Sequence, residues 1–324
     1  MKRVLTLDPA VYQRHLIHGE GRTWAETNCY VDLWIELLHA QGYEPIAALP
    51  FTLAIDFEGD QWTFFKFPLV DIFELYGLDV QELAIWRPLV EHIDEQVGRG
   101  RPVLAELDSY YLPDTAGTAY QQAHVKTTVA VTEIDIAARH MGYFHNQGYF
   151  HLQGDDFIDI FRLRGAPDST VLPPYVEFVK PNSKVGCTGR EVVECSLSIL
   201  RKQLALIPAI NPFFAFKARF QSDMVWLMNE PLETFHLYSF ATLRQFGACY
   251  ELSTTYLRWL TQQGESGLEE AALAFNALSD GAKAMQFQLA RAMNRRKPLE
   301  LSALDAMAAG WQRGIDVLKE RYLK

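Results

Sequence analysis

Cysteine is scarce in this chain: Cys29, Cys187, Cys195 and Cys249 are the only four in 324 residues. That is too few for a disulfide framework, and no two form a close CxxC pair, so reduced thiols are expected and structural zinc is not. Long apolar runs are missing too. No stretch approaches the roughly 18 uncharged apolar residues of a membrane span. The start, Met1-Lys2-Arg3-Val4-Leu5-Thr6-Leu7-Asp8, has neither the apolar stretch nor the small-residue cleavage site of a secretory signal. A soluble cytoplasmic protein with no membrane partner is expected. Positive charge is short as well. The formal net charge is −10, and residues 1–180 carry 13 Lys and Arg against 26 Asp and Glu, whereas residues 181–324 carry 17 against 14. The one compact basic group, Arg295-Arg296-Lys297 preceded by Arg291, is too small for a nucleic-acid footprint. Internal repeats and low-complexity segments are absent.

What is present is apolar substance, 49% of residues, enough for one large core or two ordinary ones. The first half mixes short helices and strands. Apolar spacing predicts a helix opening at Cys29 and stopping before Gly42, then a buried segment over 48–57, a turn at Gly59-Asp60 and an aromatic strand over 61–67. Helices near 68–76 and 80–98 are expected next. Strands follow at 102–108, 125–134, 140–146 and 148–152, with a loop over 113–118 and a short helix over 155–161. The texture changes around Pro173-Pro174 and Pro181-Asn182. Beyond Gly189 helices are expected near 189–205, 212–227, 231–261, 266–293 and 301–321, broken at Pro208, Asn211-Pro212, Glu230-Pro231, Gly264 to Gly267 and Lys297-Pro298. The expected class is α+β, with an antiparallel sheet domain over 1–180 and a helical domain over 181–324. Aromatic residues of the helical half, Phe213, Phe214, Phe216, Phe220, Trp226, Phe235, Tyr238 and Phe240, read mostly as core.

The chemistry starts from Cys29. At a helix start, backbone N–H groups and the helix dipole favour a thiolate, which makes this residue a candidate nucleophile. Such a thiol needs a base, and the base needs an orienting group. His124 is the best-placed base, between the 113–123 segment and the following strand, although His15, His18, His39, His92, His140, His151 and His236 compete on residue type alone. The return strand ends in His145-Asn146, either of which can face His124 across an antiparallel pair. A helix-borne nucleophile with a sheet-borne base and orienter is the arrangement of papain-like sites. No metal site is expected, because His140 and His145 are five apart and His145 and His151 six apart, which matches neither helix-face nor finger spacing. Asp56, Glu58 and Asp60 alternate along an extended segment, a pattern that suits the ammonium of an amino acid or a plain acidic loop.

Three stretches carry a family resemblance: Trp24 to Trp34 around Cys29, Asp56 to Phe67, and Tyr110-Tyr111-Leu112-Pro113-Asp114-Thr115 followed by His124-Val125-Lys126-Thr127-Thr128. Together they resemble the DUF1839 family of the papain-like cysteine-peptidase superfamily and, more distantly, the butirosin-biosynthesis acyltransferase. The resemblance implies a papain-like core, a nucleophile at Cys29, a base at His124 and an orienter at Asn146, with Asp135 as the rival. The glutamine usual six residues before the cysteine is replaced by Thr23, leaving oxyanion donation to the Cys29 backbone and to Asn28 or Gln61. It further implies transfer of an acyl or aminoacyl group from a small carrier protein, with peptidase or amidase action and a non-catalytic carrier-binding module as alternatives. No cofactor is implied; phosphopantetheine enters only as part of the carrier substrate.

Overall fold

The computed structural model of the chain describes residues 1–165, 171–296 and 299–323. The helix break expected at Lys297-Pro298, and the Lys297 of the basic cluster, lie outside the described residues. The chain forms two compact units, and both draw on the first half of the sequence. The first comprises Met1–Gly19, Asn28–Pro45 and Leu69–Cys187; the second comprises Glu20–Thr27, Ile46–Pro68 and Thr188–Lys324.

The first unit is built on an antiparallel sheet. Its strands are β1 (Lys2–Arg3), β2 (Leu78–Glu82), β3 (Val103–Asp108), β4 (Lys126–Asp135), β5 (His140–His145), β6 (Gly148–Gln153) and β7 (Val176–Pro181). The order is β2-β7-β3-β4-β5-β6, with β1 on β4. β4 is buried on both faces over nearly its whole length, as its run of β-branched residues requires. One face carries α3 (Leu89–Gly98) and α4 (Gly154–Ile160), whose Val90, Ile93, Phe157 and Ile160 join Val103, Val129, Val131 and Tyr143 in one core. α1 (Cys29–Ala40) also packs on β4 and β5, and α2 (Leu69–Tyr76) packs on β2.

Two elements differ from the sequence expectation here. Residues 80–98 are not one helix: Val80 pairs with Val179 in β2, and α3 begins only after Pro88, whose ring suits a helix start. β7 was not anticipated, and it fills the sheet between β2 and β3.

α1 is anchored by a buried ionic cluster. His18 bonds through Nδ1 to Glu36 and through Nε2 to Asp32 Oδ1 at 3.2 Å, and all three side chains are fully buried. Glu36 also accepts from the Tyr12 hydroxyl at 2.6 Å and from the His15 backbone N–H at 3.1 Å. Burial works against a charge on His18, but its bonds to the two carboxylates outweigh it and hold the ring above the ordinary histidine pKa.

The second unit is mostly helical: α5 (Glu191–Leu206), α6 (Pro212–Leu227), α7 (Leu232–Ser239), α8 (Gln245–Gln262), α9 (Glu269–Arg295) and α10 (Ser302–Tyr322). The single helix expected over 231–261 is interrupted by a π-helical turn, Phe240–Arg244, where the Thr242 hydroxyl donates to the Tyr238 carbonyl at 2.6 Å. The aromatic strand expected over 61–67 does not form; only Phe57 and Trp62 make a bridge. Trp62 instead sits among Phe213, Phe216 and Phe246, with ring centroids 4.8, 5.6 and 5.0 Å away. Trp24 lies against Gly247 and donates to Ser279 Oγ at 3.0 Å. Cys29 and Cys249 are free thiols, whereas Cys187 and Cys195 are disulfide-bonded, which corrects the expectation of four reduced thiols. Among the described residues, no helix is long and apolar enough to cross a membrane.

Candidate active site

Cys29 is the first residue of α1, half-buried, with a free thiol. The helix starts here because extended Asn28 caps it, its Oδ1 accepting from the Val31 N–H at 2.9 Å. The Asn28 carboxamide oxygen therefore serves the helix end. If helix position sets reactivity, brief iodoacetamide treatment at neutral pH should label Cys29 well ahead of Cys249, whose fully buried thiol is pushed up in pKa by desolvation. Peptide mass mapping checks this, and preferential Cys249 labelling would remove Cys29 from the argument.

His124 is held by a carboxylate, but not by either residue expected. Its Nδ1 lies 2.6 Å from Asp108 Oδ2. The other carboxylate oxygen of Asp108 accepts from the Tyr110 N–H at 3.0 Å, so the group is fixed from both sides. The imidazole stacks on the Tyr110 ring with centroids 4.3 Å apart and planes 12° from parallel, and Tyr111 meets it edge-on. β3 and β4 create this geometry, since Asp108 and Lys126 are their last paired residues and the Ser109 N–H donates to the Val125 carbonyl at 2.9 Å. The pair borders a cavity of about 520 Å³ lined also by Leu89, Leu107, Phe161 and Arg162; Cys29 is not among the lining residues. The His124 side chain is 66% exposed.

The expected orienters are elsewhere. Asn146 occupies the β5–β6 turn with φ of 47°. Since Ala130 pairs with Phe144, Asn146 stands level with Thr128, and the four residues back to His124 span roughly 13 Å of extended chain. Asp135 is at the opposite end of β4, about 30 Å along the strand. There it pairs with the terminal ammonium at 2.8 Å and accepts from the Ala138 N–H at 2.9 Å.

The acidic segment belongs to the second unit and forms a tight loop. Asp56 accepts from the Phe57 N–H at 2.6 Å, and Glu58 accepts from the Thr63 hydroxyl at 2.6 Å. Gly59, at φ 97°, allows the reversal, and its carbonyl accepts from Arg219 at 3.0 Å. Burial raises the Asp56 carboxyl above the usual carboxylate range, partly offset by the Phe57 N–H. Asp60 and Gln61 are exposed at the tip.

Two polar clusters of the first unit were not anticipated. In one, His145 pairs through Nδ1 with buried Asp114 and through Nε2 with Thr127 Oγ1 at 2.8 Å, while the Tyr143 hydroxyl donates to Asp114. It is sealed in the core and ties the 113–115 turn to the sheet. The other, Glu133 with His140 and His151, opens onto a cavity. A cross-strand register could have revealed both; spacing along the sequence could not.

Comparison with known proteins places this geometry in a family. No curated protein matches the chain. The profile of the DUF1839 N-terminal domain matches residues 13–181, and that of the DUF1839 C-terminal domain matches residues 189–320. The His124–Asp108 pair and most of both units thus fall within two adjoining matches that cover most of the sequence, and the chain belongs to the DUF1839 family.

Proposed function

We propose that the protein is a cysteine-dependent acyl or aminoacyl transferase of papain-like type, with Cys29 as nucleophile and His124 as base. In this reading Asp108 takes the orienting role that the sequence assigned to Asn146. The observation that carries it is the 2.6 Å bond between His124 Nδ1 and Asp108, in a unit whose α1 begins with a capped, half-buried thiol. A carboxylate on Nδ1 fixes the tautomer whose Nε2 takes a proton, and it stabilises the imidazolium that results.

The reaction starts with proton transfer from the Cys29 thiol to His124 and attack of the thiolate on the carbonyl of a carrier-bound thioester. The α1 N–H groups stabilise the tetrahedral oxyanion. On collapse the C–S bond to the carrier breaks, and His124 returns its proton to the departing thiol. An acceptor amine then attacks the Cys29 thioester while His124 takes its proton, and the thiol is restored. An acidic carrier suits the 181–324 segment, with 17 basic against 14 acidic residues, better than the strongly acidic first 180. One observation favours a second reading: Cys29 does not line the His124 cavity, which suits a module that binds a carrier without reacting.

Intact-protein mass analysis after incubation with an aminoacylated carrier separates these readings. Transfer predicts an acyl increment on wild type that is absent from Cys29→Ala. Binding with an intact thioester and no increment favours the module. Cleavage of peptides or amides, with charged carrier untouched, favours a hydrolase.

A further inference from the structure

We propose that Glu133, His140 and His151 form a binding site for a divalent transition-metal ion of the zinc class. These residues stand on three neighbouring strands. Glu133 of β4 pairs with Gly142 of β5, which pairs with His151 of β6, so the three form a row straight across the sheet. His140 lies two residues before Gly142 and therefore on the same face. The middle of the row has no side chain. A Cβ at Gly142 would stand 2.0 Å from the Tyr149 hydroxyl and 3.1 Å from the Glu133 Cβ, so the glycine keeps open the space into which its neighbours reach.

A carboxylate oxygen of Glu133 and one ring nitrogen from each histidine lie within 4.8 Å of one another. Zinc with ligands at about 2.0–2.1 Å requires donors somewhat over 3 Å apart, a contraction that small rotations of the two rings supply. Two imidazoles and one carboxylate are borderline donors suited to zinc, iron(II) or cobalt(II) and unsuited to calcium or magnesium, which take oxygen shells.

Two further observations point to a ligand. His151 Nε2 is shielded from solvent and has no hydrogen-bond partner, an unfavourable condition for a buried nitrogen that a bound ligand would relieve. The cluster also borders a cavity of about 480 Å³, lined in addition by Arg3, Asp8 and Gln153, so a fourth coordination position faces open space. The surroundings suit the ion. Arg3 Nε stands 3.8 Å from Glu133 Oε2, leaving Oε1 for the metal, and that oxygen is now 2.9 Å from His140 Nε2. With Nε2 on the metal, the His140 ring carries its N–H at Nδ1. Gln153, whose amide lies 3.1 Å from His140 Nδ1, accepts a hydrogen bond from that N–H through its oxygen after turning end for end.

The test is titration of the chelator-treated full-length protein with zinc against a chromophoric indicator, followed by cobalt(II) and its visible spectrum. One equivalent is expected to bind. His151→Ala and Glu133→Gln should each weaken it at least tenfold and alter the cobalt bands, whereas His236→Ala should change nothing. Circular dichroism identifies any variant that fails to fold, and half-buried His151 is the position least exposed to that risk. The absence of stoichiometric binding by the wild type would overturn the proposal, as would binding that survives His151→Ala in a folded protein.

Discussion

Replacing His18 by alanine is expected to destabilise the protein by about 3–5 kcal/mol. Asp32 and Glu36 would be left as two fully buried carboxylates facing each other without the cation between them. The effect carries a pH signature. His18 has a raised pKa in the folded state, so its contribution is fully present below the unfolded value of about 6.5 and is lost as pH rises through the folded value. Denaturant melts of wild type and His18→Ala from pH 6 upward should therefore show a stability gap that narrows at the alkaline end. A gap under about 1 kcal/mol that does not vary with pH would mean that the ring is neutral and its bonds incidental. Since Glu36 also holds Tyr12 and the His15 backbone, the variant should loosen the N-terminal segment as well.

The second large effect concerns the proposed chemistry and discriminates between orienters. Under the acyl-transfer reading, Cys29→Ala removes the covalent step, and His124→Ala should lower kcat by about 10⁶-fold. Asp108→Asn should have a smaller effect, up to about 10⁴-fold, because it disturbs the tautomer that Nδ1 must keep. Asn146→Ala and Asp135→Ala should remain within a few-fold of wild type. Single-turnover transfer from a charged carrier measures all five. A severe loss in Asn146→Ala, with Asp108→Asn nearly normal, would restore the asparagine and remove the carboxylate from the site.

The parts that sequence made legible share one property: their signals are local. α1 follows from its apolar spacing and from Asn28 ahead of Cys29, and the run from β4 through β6 follows from β-branched residues separated by short turns. β7 was hidden because its partners, β2 and β3, lie far back in the chain and no turn residue advertises the pairing. The aromatic run over 61–67 misled for the opposite reason. It has strand composition, but Trp62 is spent on rings from α6 and α8, so tertiary packing overrides propensity. At the candidate site, His124 was found from its place at a strand entry. Its partner was missed because Asp108 becomes a neighbour only through the β3–β4 register, in which 108 faces 126. Asn146 came from a family pattern, and the same register leaves it level with Thr128.

The way the two units share the N-terminal sequence bears on how the protein emerges from the ribosome. Trp24 and Trp62 are synthesised early, yet residues that enclose them, Ser279 and Gly247 for one and Phe213 and Phe246 for the other, follow about 150 to 250 positions later. At about 5–20 residues per second, the interval between Trp62 and Phe246 is about 10–40 s, during which the tryptophan has no native surroundings. The helical unit thus cannot complete its core until those later residues have emerged, and a fragment starting at residue 188 would lack the two indoles around which its helices close.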